Sequence, residues 1–203
     1  MIGDAGTWFD ARREDWRRHV VDLQERGYEG ALVRADKEAA FARAFALTTP
    51  VAERVLRALD DAYLGGRGTI GTRPPVLVAP EELMGATREP MGGLLGAWHL
   101  TWPELEQAHN RLDGHRLPAV EIHAMFPSDF THPHLALCDL SRPRRWVACW
   151  PFQVSEPADA ERQEGVLAAI AEADMHERTF AGDLNWRLLH VATTSSTGVQ
   201  NAE

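Results

Sequence analysis

Apolar positions in the first third of the chain recur at helical spacing. Trp16, Val20 and Leu23 stand at i, i+4 and i+7 within a segment from Trp8 to about Arg26, which predicts an amphipathic helix with that stripe buried. Gly27 and Gly30 interrupt it. Asp36 is placed to cap a second helix through Leu47, with Phe41 and Phe45 four apart on one face. Thr49-Pro50 reads as an N-cap followed by proline at the first helical position, opening a third helix that buries Val51, Val55, Leu56 and Leu59. Gly65-Gly66 supplies its stop after Leu64.

Residues 65–75, GGRGTIGTRPP, read as a glycine- and proline-rich connector that could also serve as a lid. A phosphate-cradling loop would need a lysine and a following helix; the lysine is absent and Pro74-Pro75 oppose a helix start. Beyond it the pattern changes to short apolar runs. Gly93 to Leu100, Pro118 to Met125, Thr131 to Cys138 and Arg145 to Val154 predict strands. A short helix opens through Pro103, and a long one spans about Ala158 to Phe180 with Val166, Leu167 and Ile170 inward. Asn185 to Val191 predicts a last strand, with Trp186, Leu188 and His190 on one side.

The expectation is an α+β fold, a helical N-terminal third packed on a mainly antiparallel sheet. From residue 93 the order β-α-β-β-β-α-β resembles the split β-α-β arrangement of a ferredoxin-like domain, with an extra strand. One domain is expected over 1–192, made of a helical part (1–64), the connector (65–75) and the sheet with its helices (76–192). A disordered tail is expected over 193–203, which is small and polar.

Composition narrows the function. A content of 44% hydrophobic and 25% charged residues is that of a globular chain, so disorder throughout is excluded. The net charge of −9 argues against a nucleic-acid partner and against docking on an anionic membrane. No run approaches the ~20 apolar residues of a membrane span, and the N-terminus lacks a signal peptide's apolar run. Cys138 and Cys149 form no disulfide framework or CxxC knuckle, so free thiols in a cytoplasmic setting are expected.

Candidate chemistry concentrates between Glu121 and His134. Residues two apart on a strand share a face, so Glu121 pairs in direction with His123, and His132 with His134. With a four-residue loop over Phe126 to Asp129, His123 would stand opposite His132 and Glu121 opposite His134, about 5 Å apart. Glu121, His123, His132 and His134 would then hold a divalent metal, Fe or Zn by ligand type. An odd loop would split the pairs between faces. Pro133 marks an edge strand, a strand start or a bulge. In a metal-free alternative, His123 or His132 serves as catalytic acid or base. In a structural one, the histidines bond to backbone or carboxylates.

Four further residues are pocket candidates: Trp98, His99, Glu172 and His176. Trp98 and His99 point to opposite faces of their strand, with Trp98 the natural core residue. Glu172 and His176 lie four apart on the long helix, the spacing of a surface ion pair or of two added ligands. There is no G-x-S-x-G elbow. Cys138 or Cys149 could serve as a nucleophile next to the histidines, but strand-embedded cysteine reads as inert packing. Three functions stay open. One is a small-molecule enzyme of undefined reaction with a hairpin-held metal. A second is a non-catalytic accessory subunit or binding module, docking a larger protein partner or forming a homo-oligomer. The third is a metal-free histidine acid/base isomerase or cyclase.

Overall fold

In the computed structural model, residues 5–79, 92–109, 114, 116–139 and 145–180 are described. The elements are α1 (Ala5–Glu25), α2 (Arg34–Leu64), β1 (Thr69–Val78), β2 (Gly93–Thr101), α3 (Pro103–Gln107), β3 (Val120–Pro127), β4 (His134–Asp139), β5 (Arg145–Pro151), α4 (Pro157–Arg162) and α5 (Glu164–Phe180). The fold is α+β: helices precede and follow a five-stranded sheet whose neighbours are all antiparallel. No helix among the described residues is long and apolar enough to cross a membrane.

The strands run β1-β2-β3-β4-β5, each beside its sequence neighbour. The ferredoxin-like resemblance therefore stops at element order. A split β-α-β unit inserts a strand between two parallel ones, whereas α3 here joins two adjacent antiparallel strands.

Alternation within the strands gives the sheet two unlike faces. Trp98, Leu100, Ile122, Ala124, Phe126 and Leu135 project to one side and are buried against α2 and α5 in the main core. Phe41, Phe45, Val55 and Leu56 of α2 and Val166, Leu167 and Ile170 of α5 supply the other half. Phe45 lies flat on Trp98, ring centroids 4.3 Å apart and planes within 7°. The opposite face carries His99, Glu121, His123, His134 and Cys138, as the ladder pairings require.

The two helices expected on either side of Thr49-Pro50 are one, with Pro50 inside it. Proline leaves the carbonyl of Ala46 without its helical N–H. The threonines before it nevertheless fit a helix, because the Thr48 and Thr49 hydroxyls each donate to carbonyls four residues back, Ala44 and Phe45, at 2.9 Å. Thr49 Oγ1 also accepts the Trp98 indole N–H at 2.9 Å, which ties the proline turn to the core. Asp36 is not the cap: the helix starts after Val33, with no side-chain bond there. Gly65 does end it, at φ 66°, in the left-handed conformation that glycine favours.

The connector expected over 65–75 is largely strand. Residues from Thr69 onward form β1 at the sheet edge, and the register slips between Arg73 and Val76, where Pro74 and Pro75 lie. An edge position and a bulge are what two residues without N–H groups permit. The long C-terminal helix is divided at Gln163, whose buried amide bonds to α1. The strand expected over 185–191, with Trp186, Leu188 and His190, and the tail over 193–203 lie outside the described residues.

The helix α1 reverses the expected orientation. Arg12, Asp15, His19 and Asp22 face inward, Arg12 and Asp15 only 4% and 0% exposed. Trp16, Val20 and Leu23 stand outward at 52%, 45% and 50% exposure. What holds the helix is polar. Arg12 donates to Gln163 Oε1 at 3.0 Å, and Gln163 donates to Asp15 at 2.9 Å. Gln153 donates to Asp22 at 3.0 Å, while Arg18 pairs with Glu29 and Asp159. An apolar stripe can point outward when the opposite stripe is charged and every charge finds a partner.

Candidate functional site

The hairpin between β3 and β4 turns later than expected. Pro127 still belongs to β3, and the turn follows it, with the Phe130 N–H donating to the Pro127 carbonyl at 3.1 Å. Arg34, at the start of α2, fixes this turn. Its guanidinium donates to the carbonyls of Phe126, Pro127, Ser128 and Phe130 and sits 3.7 Å from the Phe126 ring centroid. Pro133 immediately precedes β4, so it marks a strand start in an interior strand rather than an edge.

The register follows from that turn. His123 stands opposite Ala136, and Met125 opposite His134. Glu121, His123 and His134 do share a face, as an even loop requires, but the two pairs are displaced along the ladder. His123 does not meet His132, and Glu121 stands beside His99 of β2 instead of His134. The expected four-ligand metal site is thereby divided in two. Among the described residues, no group of three or more His, Cys, Asp or Glu side chains could hold a metal ion.

The first half is a relay. His123 Nε2 lies 2.7 Å from Glu121 Oε2, and His123 Nδ1 lies 3.0 Å from Cys138 Sγ. The residues meet because His123 faces Ala136 and Cys138 is two positions further along the same face. Arg73 of β1 reaches the other Glu121 oxygen at 3.3 Å. The Glu121 backbone N–H donates to Asp174 at 2.6 Å, and Asp174 is paired with Arg178. Glu121 is thus held from three sides.

Burial works against charge on both members of the pair, and their partners overcome it. The Cys138 sulfur and the Glu121 carboxylate raise His123 to about 10 despite its desolvation. The His123 hydrogen bond and charge, with Arg73 and Arg178, draw Glu121 down to about 2. At neutral pH this is an imidazolium clasped between a carboxylate and a sulfur.

Around Cys138 the wall is apolar. Leu95, Met125, Ala136 and Trp146 form a small second core, with Val78, Phe130 and Cys138 packed beside it. Trp146 stands directly opposite Cys138 in the β4–β5 ladder. Its indole N–H is buried and has no hydrogen-bond partner among the described residues. Cys138 itself is half-buried and free.

The second half of the hairpin joins α1. The His19 ring stands edge-on to those of His132 and His134, with centroids 4.9 and 5.7 Å away. Desolvation lowers all three imidazoles, His134 to about 4. The Nδ1 atoms of His19 and His134 are buried without a hydrogen-bond partner among the described residues. These rings are neutral packing groups at neutral pH.

The remaining candidates fall elsewhere. Trp98 is a core residue, not a pocket wall. His99 is half-buried on the Glu121 face, its ring over Gly71, where any side chain would collide with it. Glu172 and His176 are exposed on α5; Glu172 borders a groove of about 270 Å³ between α2 and α5. They do not join the hairpin. Sequence reasoning missed His19, Arg34 and Trp146 as site residues. Strand-embedded Cys138 reads as packing from its sequence context, yet an even loop places it on the His123 face. Compared with protein-family models, curated proteins and solved structures, the chain matches none.

Proposed function

We propose that the protein is a small-molecule enzyme in which His123 exchanges protons with a bound substrate, oriented and kept charged by Glu121. The observation that carries this reading is the 2.7 Å bond between Glu121 Oε2 and His123 Nε2 on a sheet face beside an apolar wall. A carboxylate–imidazolium pair fixes the ring direction and keeps a transferable proton on the ring, which general acid/base chemistry needs. A hairpin-held Fe or Zn would need donors that the register separates, so this reading gives the proton chemistry to His123 and Glu121. The apolar wall suits a substrate that is partly apolar, and a free thiol at the site suits a reducing, cytoplasmic setting.

The test is turnover of a panel of small esters, thioesters, amides and enolisable ketones by wild type and by His123→Gln. Activity on one class that disappears in the folded variant is expected. No turnover of any class, or turnover indifferent to the substitution, would overturn the reading.

One observation favours a second reading, that of a binding module. The outward stripe Trp16, Val20 and Leu23 offers apolar surface to a second copy or another protein. Light scattering on wild type and Val20→Glu tests it; a monomer indifferent to the change would remove self-association from consideration.

A further inference from the structure

The relay beside Cys138 does more than hold a histidine. We propose that Cys138 is a catalytic nucleophile for acyl transfer, acting on small esters or thioesters with an apolar acyl group. This rests on the acid/base reading of His123 and adds the covalent step and the substrate class.

Three features converge on the sulfur. First, His123 Nδ1 is 3.0 Å from Sγ and the same ring is bound at Nε2 by Glu121, so nucleophile, base and orienting carboxylate lie in series. Second, Trp146, opposite Cys138, holds a buried N–H with no partner among the described residues, a donor for charge developing on a carbonyl oxygen. Third, Leu95, Met125 and Ala136 are buried beside the sulfur with Phe130 packed against them, so the surroundings of the thiol are apolar, which favours an apolar acyl group. Cys149 makes the contrast: it lies on the next strand, is exposed, and no imidazole is bonded to it among the described residues.

The chemistry closes. The Cys138 thiolate adds to the acyl carbon, a C–S bond forms, and the carbonyl electron pair moves onto oxygen beside the Trp146 N–H. Collapse of this intermediate breaks the bond to the alcohol or thiol leaving group, which takes the proton from His123 Nδ1. The neutral imidazole then removes a proton from water as that water adds to the thioester. A second collapse breaks the C–S bond, returns the thiolate and releases the carboxylic acid. The net change is hydrolysis of one ester or thioester, with no outside oxidant or metal.

The experiment uses p-nitrophenyl butyrate on the full chain. A burst of nitrophenolate equal to the protein is expected, with one butyryl group on Cys138 by peptide mass spectrometry. Cys138→Ser should abolish the adduct and Cys149→Ser should retain it. His123→Gln should slow acylation about 100-fold, the usual scale of a lost general acid/base. An adduct on Cys149 or Lys37, or no adduct, overturns the proposal. If Cys138→Ser fails to fold, iodoacetamide on wild type decides. Alkylation of Cys138 well ahead of Cys149 supports the proposal, and alkylation of Cys149 first, or of neither, refutes it. Panel turnover that needs His123 but survives Cys138→Ser would leave the acid/base reading intact and remove only the nucleophile.

Discussion

The imidazole of His19 stands edge-on to that of His132, ring centroids 4.9 Å apart, and this contact is where α1 meets the hairpin. With His134, both rings are held neutral by burial. The groups facing them are Asp22, which favours the imidazolium, and Lys37, which opposes it. In the unfolded chain the same histidines titrate near ~6.5. Between that value and the folded one, about 4 for His134, the unfolded state binds more protons.

Stability should therefore be full above pH ~6.5 and fall as pH drops towards 4. His123 has the opposite sign. Its folded value of about 10 means a contribution complete below ~6.5 and lost as pH rises towards 10. Urea midpoints across pH 4 to 9 should trace a maximum close to ~6.5. His134→Leu should flatten the acid limb alone; an unchanged acid limb would remove the histidine cluster as its cause.

The docking of α1 by charge predicts unequal arginines one residue apart. Arg12 is buried on Asp15 and Gln163, whereas the Arg13 side chain is 79% exposed on Asp10. Arg12→Ala takes the nearer of two guanidiniums from the buried Asp15 carboxylate, leaving Gln163 at 2.9 Å and Arg162 at 3.6 Å, and should cost about 1–3 kcal/mol. Arg13→Ala should stay within about 0.5 kcal/mol of wild type. Denaturant titration measures both, and equal costs would contradict the inward orientation of the polar stripe.

Gly96 lies under the Phe45 ring, and a Cβ there would come 2.6 Å from its edge. Because that ring is stacked on Trp98, it has little room to move. Gly96→Ala should destabilise by about 1–3 kcal/mol through overpacking. Adding Phe45→Leu should make the alanine less costly in a double-mutant cycle, and simple additivity of the two would argue against the contact.

Pro50 interrupts the hydrogen-bond ladder inside α2. Pro50→Ala returns an N–H to the Ala46 carbonyl and should stabilise the fold, by at most about 3 kcal/mol. A loss of stability, read in the same denaturant assay, would show that the ring packs usefully.

Where the chain carries a strong local signal, the fold is legible in it. Gly93–Leu100 is a short apolar run and lies in β2; Pro103 opens α3; Gly65 ends α2. The failures have physical causes. Thr49-Pro50 carries every local mark of a helix start, but the flanking apolar stripes are in phase and bury together, so tertiary packing keeps one helix through the proline. In α1 the apolar stripe was the stronger periodic signal, yet the inward positions are set by partners more than a hundred residues away, Gln153 and Gln163. Local spacing carries no trace of them. For the site, shared faces were readable from parity, since Glu121, His123 and His134 project together. Register was not, because it depends on Arg34 gripping the turn from another element. That displacement moved Cys138, and not His132, next to His123.

The bulged edge strand has a consequence beyond this molecule's own sheet. Among the described residues β1 is an edge strand, and its Pro74 and Pro75 supply no N–H groups to an incoming strand. Another chain offered to that edge would find its ladder broken at the middle, which guards against open-ended stacking of sheets into fibrils. Replacing both prolines would lift that guard.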